Sequence, residues 1–233
     1  MRIGPAGIYF LFVVAVFLPY LAIRSYLKLK AGAPFPSRKQ YLTQAYLLQV
    51  FFLVLSVLVA RLYRMELFAR HVPDAEPILA GLAFIALAAG TARARWRITP
   101  EDRRRRVYLL VPQTRREEFV WFVLCLLVGL SEEITYRGVL YGLLLLLVGE
   151  PAAAALLACI VFAANHAVQG WRSCVLVFCY AIVFHLLVWF SGSLYVAMAA
   201  HAAYDIIAGI TFGRLGRAEF GTSAPVPVQA ESA

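Results

Sequence analysis

The sequence predicts an all-α protein, a polytopic transmembrane helical bundle with seven or eight membrane segments. Three observations predict it. The chain is 62% hydrophobic and 15% charged over 233 residues, against about 45–50% and about 25% in a soluble domain. Its apolar runs are far longer than the ~10-residue alternating segments of an outer-membrane barrel. The net charge of +9 lies almost wholly between those runs, where it orients a membrane protein.

The first run, Gly7–Leu27, is interrupted by Pro19 and followed by a basic loop, Lys28–Gln40. No small-residue cleavage site follows it, so it reads as a retained span. The second run is Tyr41–Tyr63. The third, Pro77–Thr91, is rich in Ala and Gly, which suits close helix packing. Ala92–Glu118 is the largest polar segment and carries nine arginines, Arg103–Arg106 among them. The positive-inside rule places it and the first loop in the cytoplasm, with the N-terminus outside. Arg103–Arg106 reads as a topology signal and a contact for anionic lipid. No nucleic-acid module accompanies it, so no nucleic-acid partner is expected.

The remaining runs are Phe119–Val148, Pro151–Val168, Arg172–Phe190 and Leu194–Phe212, before a tail expected to be disordered from Gly213. The chain therefore divides into N-terminal helices with a basic loop (1–118), a core (119–212) and a tail (213–233). At ~1.5 Å per residue, Phe119–Val148 spans about 45 Å, longer than a hydrocarbon core of about 30 Å. It reads as one tilted helix or as two segments broken near Gly138. Arg172, Arg214 and Arg217 favour seven segments, because that count puts all three inside. Matching the depth of Glu132 and His166 favours the break, and eight. The four cysteines all fall in apolar runs, none in a C-x-x-C pair, and read as small buried residues.

Several polar residues sit at membrane depth in the second half: Glu132, Glu133, Arg137, Asn165, His166, His185, His201 and Asp205. A charged residue there costs roughly 2.5–3.5 kcal/mol on insertion scales and marks a site by default. Glu133 and Arg137 are four apart, as are Phe162 and His166, and His201 and Asp205, so each pair shares a helix face. Glu132 points about 100° away from Glu133. The spacing suggests that Glu133 neutralises Arg137, while Glu132 is left free. Asn165 and His185 read as interhelical hydrogen-bonding or packed residues. A carboxylate, two imidazoles and Asp205 are sufficient to activate water. The chain has no G-x-S-x-G elbow and no H-E-x-x-H zinc motif.

Glu132-Glu133-x-x-x-Arg137, Phe162-x-x-x-His166 and His201-x-x-x-Asp205 resemble, in order, the three motifs of the CPBP family of intramembrane glutamic endopeptidases. These are the CAAX prenyl endopeptidases and bacterial Abi proteins. The resemblance covers about Phe119–Phe212. It implies an endopeptidase, a hydrolase, in which Glu132 is the catalytic base on a water shared with His166. Glu133 and Arg137 would support it, Phe162 would pack the site, and His201 would join residue 205 at the oxyanion. Studied relatives carry Asn where this chain has Asp205, and an ionised Asp cannot donate to an oxyanion. A protonated Asp205, or one that orients His201, would reconcile the difference.

The expected partners are membrane lipids and a membrane-embedded or lipid-anchored peptide or protein, prenylated or not. No cofactor is expected. The expected location is a cell membrane, multi-pass, as in the inner membrane of a bacterium. One rival reading is a zinc metalloprotease with Glu132, His166, His201 and Asp205 as ligands. Others are a non-catalytic immunity or scaffold protein of the same fold, and a proton-relay transporter.

Overall fold

The computed structural model of the chain describes residues 3–68 and 73–221. Among them there is no strand, and six helices are long and apolar enough to cross a membrane. They are α1 (Pro5–Lys30), α2 (Arg38–Leu62), α3 (Ala75–Ile98), α5 (Arg115–Val148), α7 (Trp171–Ser191) and α8 (Leu194–Phe220). A shorter apolar helix, α6 (Pro151–Asn165), lies between α5 and α7, and a polar one, α4 (Glu101–Leu110), between α3 and α5. With α6, the described residues hold seven apolar helices, and the chain is an integral, multi-pass membrane protein.

Local chemistry sets the boundaries. Ser37 and Gln40 form a reciprocal capping box at the start of α2. Thr114 caps α5 by accepting from the Glu117 N–H, and Glu150 caps α6, which has proline in its first turn. Gly149, at φ 74°, makes the turn from α5 to α6 in the left-handed region that glycine tolerates. Pro19 does not break α1. It lacks an N–H and crowds the carbonyl four residues back, and the helix widens to π register over Val13–Phe17 just before it.

Cross-chain contacts fix the order of the ends. Arg38, at the start of α2, pairs with Glu117 near the start of α5 at 3.0 Å. Arg103 on α4 donates to the Gln169 carbonyl in the α6–α7 turn at 3.1 Å and to the Ser173 hydroxyl. Tyr108 donates to the Gly221 carbonyl beyond α8 at 2.8 Å. At the opposite end, Gly4 and Tyr63 join the start of α1 to the end of α2. The basic segments therefore gather at one end of the bundle and the N-terminus lies at the other.

Four expectations change. No break occurs at Gly138: α5 runs unbroken through a π segment, Ile134–Leu140. The depths match without a break, because Glu132 lies 16 residues before Val148 and His166 lies 15 after Pro151, both about 23 Å from the α5–α6 turn. The polar segment 92–118 is not a loop; Arg105 and Arg106 pair with Glu101 and Asp102 one turn earlier in α4. The last helix passes the expected tail boundary at Gly213 and ends at Phe220, held by Glu219 bonds to Trp96 and Arg104. Residues 222–233 lie outside the described residues. Cys125 and Cys159 are buried, whereas Cys174 is half-buried and Cys179 exposed on the outward side of α7.

The contact that positions the site is α5 against α8. A Cβ at Gly129 would lie 2.8 Å from the Met198 carbonyl and 2.9 Å from the Ala202 Cβ. One at Gly209 would lie 2.2 Å from Trp121 Nε1. Small residues let two membrane helices approach until their backbones nearly touch. Gly129→Val is expected to lower stability by about 1–3 kcal/mol through overpacking. Gly90→Val, where nothing lies within 4 Å, serves as the control, and thermal unfolding in detergent compares the two.

Candidate active site

Glu133, fully buried, ends the α-helical part of α5. Its Oε1 accepts from Arg137 Nη1 at 3.0 Å and from His201 Nδ1 at 2.8 Å. Arg137 also donates from Nη2 to the Ala181 carbonyl on α7 at 3.2 Å. Its guanidinium lies 4.5 Å from the centroid of Phe162 on α6 and 5.5 Å from that of Phe184 on α7. Phe184 in turn stacks on His201, with centroids 4.8 Å apart. One ion pair thus ties α5 to α6, α7 and α8.

A carboxylate oxygen only accepts, so Nδ1 of His201 carries a hydrogen. The other ring nitrogen, Nε2, faces Asp205 Oδ2 at 3.5 Å and Glu132 Oε2 at 3.9 Å. Glu132 sits on a different face of α5 from Glu133. Its Oε1 accepts from Gln49 Nε2 on α2 at 2.7 Å. Its Oε2 is buried and has no hydrogen-bond partner among the described residues.

His166 ends α6, and its Nδ1 lies 2.8 Å from the Phe162 carbonyl. A carbonyl cannot donate, so Nδ1–H is the donor, and in the neutral ring Nε2 carries the lone pair. The imidazole packs on the Phe162 ring at 4.7 Å and is within electrostatic reach of Asp205. Side-chain exposure rises from 7% at His201 and 10% at Glu132 to 28% at Asp205. The site therefore opens on the side of Asp205 and the half-buried His166.

The structure brings Glu132, Glu133, Arg137, Phe162, His201 and Asp205 into one cluster, and joins His166 to it through Phe162. Asn165 bonds the Val14 carbonyl of α1 and the Tyr136 hydroxyl, outside that cluster. His185 packs edge-on against Tyr141, with centroids 4.8 Å apart. Among the described residues, no three His, Cys, Asp or Glu side chains are grouped as a metal site requires. A cavity of about 670 Å³ touches the cluster only through Arg137. Glu66, Tyr141 and Ser193 also line it, at the end away from His166 and Asp205, so Glu132 does not face it.

Sequence reasoning missed four residues here. Gln49 and its partner Ser131 lie against Glu132. Tyr41, two turns before Gln49 on the same face of α2, is within electrostatic reach of Asp205 and Glu132. Trp121 donates from Nε1 to the Asp205 carbonyl at 3.0 Å. A carboxamide near the middle of an apolar span was the available signal for Gln49.

Residues 115–207 match the family model described as Rce1-like, type II CAAX prenyl endopeptidase. This is the CPBP family that the three motifs resemble. The matched Rce1-like segment runs from the start of α5 into α8 and contains every motif residue; α1 to α4 lie outside it. The Rce1-like match indicates a protease, and with the spans it supports a CAAX-protease-like intramembrane protease. No curated protein and no solved structure matches the chain.

Removing one partner of a buried ion pair leaves an uncompensated charge, at a cost of about 3–5 kcal/mol. Glu133→Gln is therefore expected to destabilise the protein by that order. Adding Arg137→Met to Glu133→Gln is expected to recover part of the loss, and melting curves of the two single variants and the double read the coupling.

Proposed function

We propose that the chain is a glutamate-type intramembrane endopeptidase that cleaves a membrane-associated peptide with water activated by Glu132 and His166. One observation carries the reading: the two neighbouring carboxylates are unequally satisfied. Glu133 Oε1 is bound by the cationic Arg137 and by His201, whereas Glu132 has only the neutral Gln49 as donor, on Oε1, and its Oε2, unpartnered like Glu133 Oε2, faces His201 Nε2 at 3.9 Å. A carboxylate oxygen with a free lone pair beside an imidazole is a competent general base.

In this reading, His166 Nε2 accepts one hydrogen of a water molecule, and Glu132 Oε2 takes the other as a proton. The resulting hydroxide adds to the carbonyl carbon of the scissile amide. His201 works as an imidazolium: Glu133 holds Nδ1–H, and Nε2–H donates to the oxyanion. Asp205 orients that ring through Nε2. When the tetrahedral intermediate collapses, the C–N bond breaks and Glu132 returns its proton to the leaving nitrogen. The products are a carboxylic acid and an amine, which become a carboxylate and an ammonium once the acid passes its proton to the amine, and Glu132 is ionised again. The chemistry calls for no cofactor, and a prenyl or other lipid anchor on the substrate would hold the scissile bond near the membrane.

Glu132→Gln keeps the shape but removes the base, and is expected to lower turnover by about 10²–10⁴-fold. Excess chelator is expected to leave wild-type activity unchanged. Peptidomics of membranes from cells carrying wild type or Glu132→Ala should show precursors accumulating in the variant. A Glu132→Ala protein that folds, inserts and leaves that peptide profile unchanged would falsify the assignment.

A further inference from the structure

Gln49 lies on α2, outside the Rce1-like segment, yet it makes the one hydrogen bond to Glu132 given for the described residues. It is 6% exposed, midway along an otherwise apolar stretch of α2. The Ser131 hydroxyl lies 2.5 Å from its Oε1, and its Nε2 lies 2.7 Å from Glu132 Oε1. The orientation of the amide follows from chemistry. Turned over, it would place its own carbonyl oxygen against the carboxylate, acceptor against acceptor. Ser131 is the residue before Glu132, so serine, carboxamide and carboxylate form a closed loop between α2 and α5.

We infer that Gln49 is a positioning residue for Glu132: its carboxamide engages one carboxylate oxygen and thereby assigns the other to water. The inference rests on the proposed role of Glu132. An N–H held at 2.7 Å by a carboxylate is a charge-assisted bond, and it stops rotation of the carboxyl group about its last torsion. A neutral donor suits the task. An arginine there would neutralise the charge, as Arg137 does beside Glu133. An amide neither titrates nor cancels the carboxylate, so Oε2 remains directed at His201 with its lone pair available. Ser131 in turn fixes the carboxamide. The competing explanation is that Gln49 only joins α2 to α5, as interhelical hydrogen bonds do in membranes.

The two explanations separate in a full-length, detergent-purified protein. The substrate probe is a quenched fluorogenic peptide ending in a farnesylated cysteine, two aliphatic residues and a variable last residue. Gln49→Met has the same length and no donor. It is expected to lower kcat by about 10–100-fold with KM unchanged, the scale of a misplaced reacting group. Ser131→Ala is expected to cost less, and the double variant to be no slower than Gln49→Met, since both act on one group. Infrared difference spectra supply a readout that needs no substrate. The carboxyl band of Glu132, identified by its loss in Glu132→Gln, is expected to shift in Gln49→Met. An unmoved band, an unchanged kcat, or a raised KM with kcat intact each overturns the inference. If wild type does not cleave the probe, or Glu132→Gln still does, the proposed function fails there, while the infrared comparison still decides whether Gln49 sets Glu132. Should Gln49→Met not fold, Ser131→Ala carries the same infrared test.

Discussion

The second half of the bundle depends on the compensation of one buried charge pair. Glu133 and Arg137 are almost wholly inaccessible, and neither would be tolerated at membrane depth without the other. Their partners are spread over every helix of the Rce1-like segment: Phe162 on α6, Ala181 and Phe184 on α7, His201 on α8. Satisfying the pair therefore requires the four helices to meet at one level. The same contacts that neutralise the charge also hold Nδ1–H of His201 and turn its second nitrogen toward Glu132 and Asp205. Stability and site geometry share one origin here.

That convergence is possible because the helices come close enough. Gly129 admits the backbone of α8 at Met198 and Ala202, and Gly209 admits the indole of Trp121, which then binds the Asp205 carbonyl. The π segment Ile134–Leu140 begins at the residue after Glu133 and contains Arg137. Six of its seven residues are buried. Gly138, the exception, receives Leu67 in the space a side chain would fill. π bulges are frequent at functional sites, and this one lies where the charge pair must fit between neighbouring helices.

The sequence made the class and the spacing legible, because both are periodic or compositional. Long apolar runs are helices, and residues four apart share a face. That is why Glu133 could be paired with Arg137, and His201 with Asp205, from the chain alone. What escaped were features that depend on tertiary geometry. Whether Phe119–Val148 breaks at Gly138 turns on the local helix register, and a π turn leaves no compositional mark distinct from a break. The arginines of 92–118 could be assigned to a side of the membrane, but their bonds to Gln169, Ser173 and Glu219 join positions 66 to 115 residues apart. The helix past Gly213 was hidden by the Ala, Pro, Ser and Glu of 213–233, which masked two helical glycines. They are packing sites, Gly213 against the Pro112 carbonyl and Gly216 against Tyr108.

Gln49 was the most consequential omission, and its position changes where the functional unit ends. The three motifs lie within 115–207 and invite a division between a catalytic core and an N-terminal accessory. Yet α2 runs along α5 with a polar register of its own: Gln49 against Glu132, then Ser56 against Thr135 at 2.8 Å, seven residues further on. Thr135 donates to the Ser131 carbonyl at 2.7 Å, so the hydrogen in the second contact comes from Ser56. In lipid, such bonds hold helices in register because an unpaired polar group there is costly. A slip of one residue along α2 would rotate Gln49 by about 100° and remove both contacts together. The register of α2 against α5 and the orientation of Glu132 are therefore a single property. The helices that position the carboxylate begin at Arg38, well before the first motif.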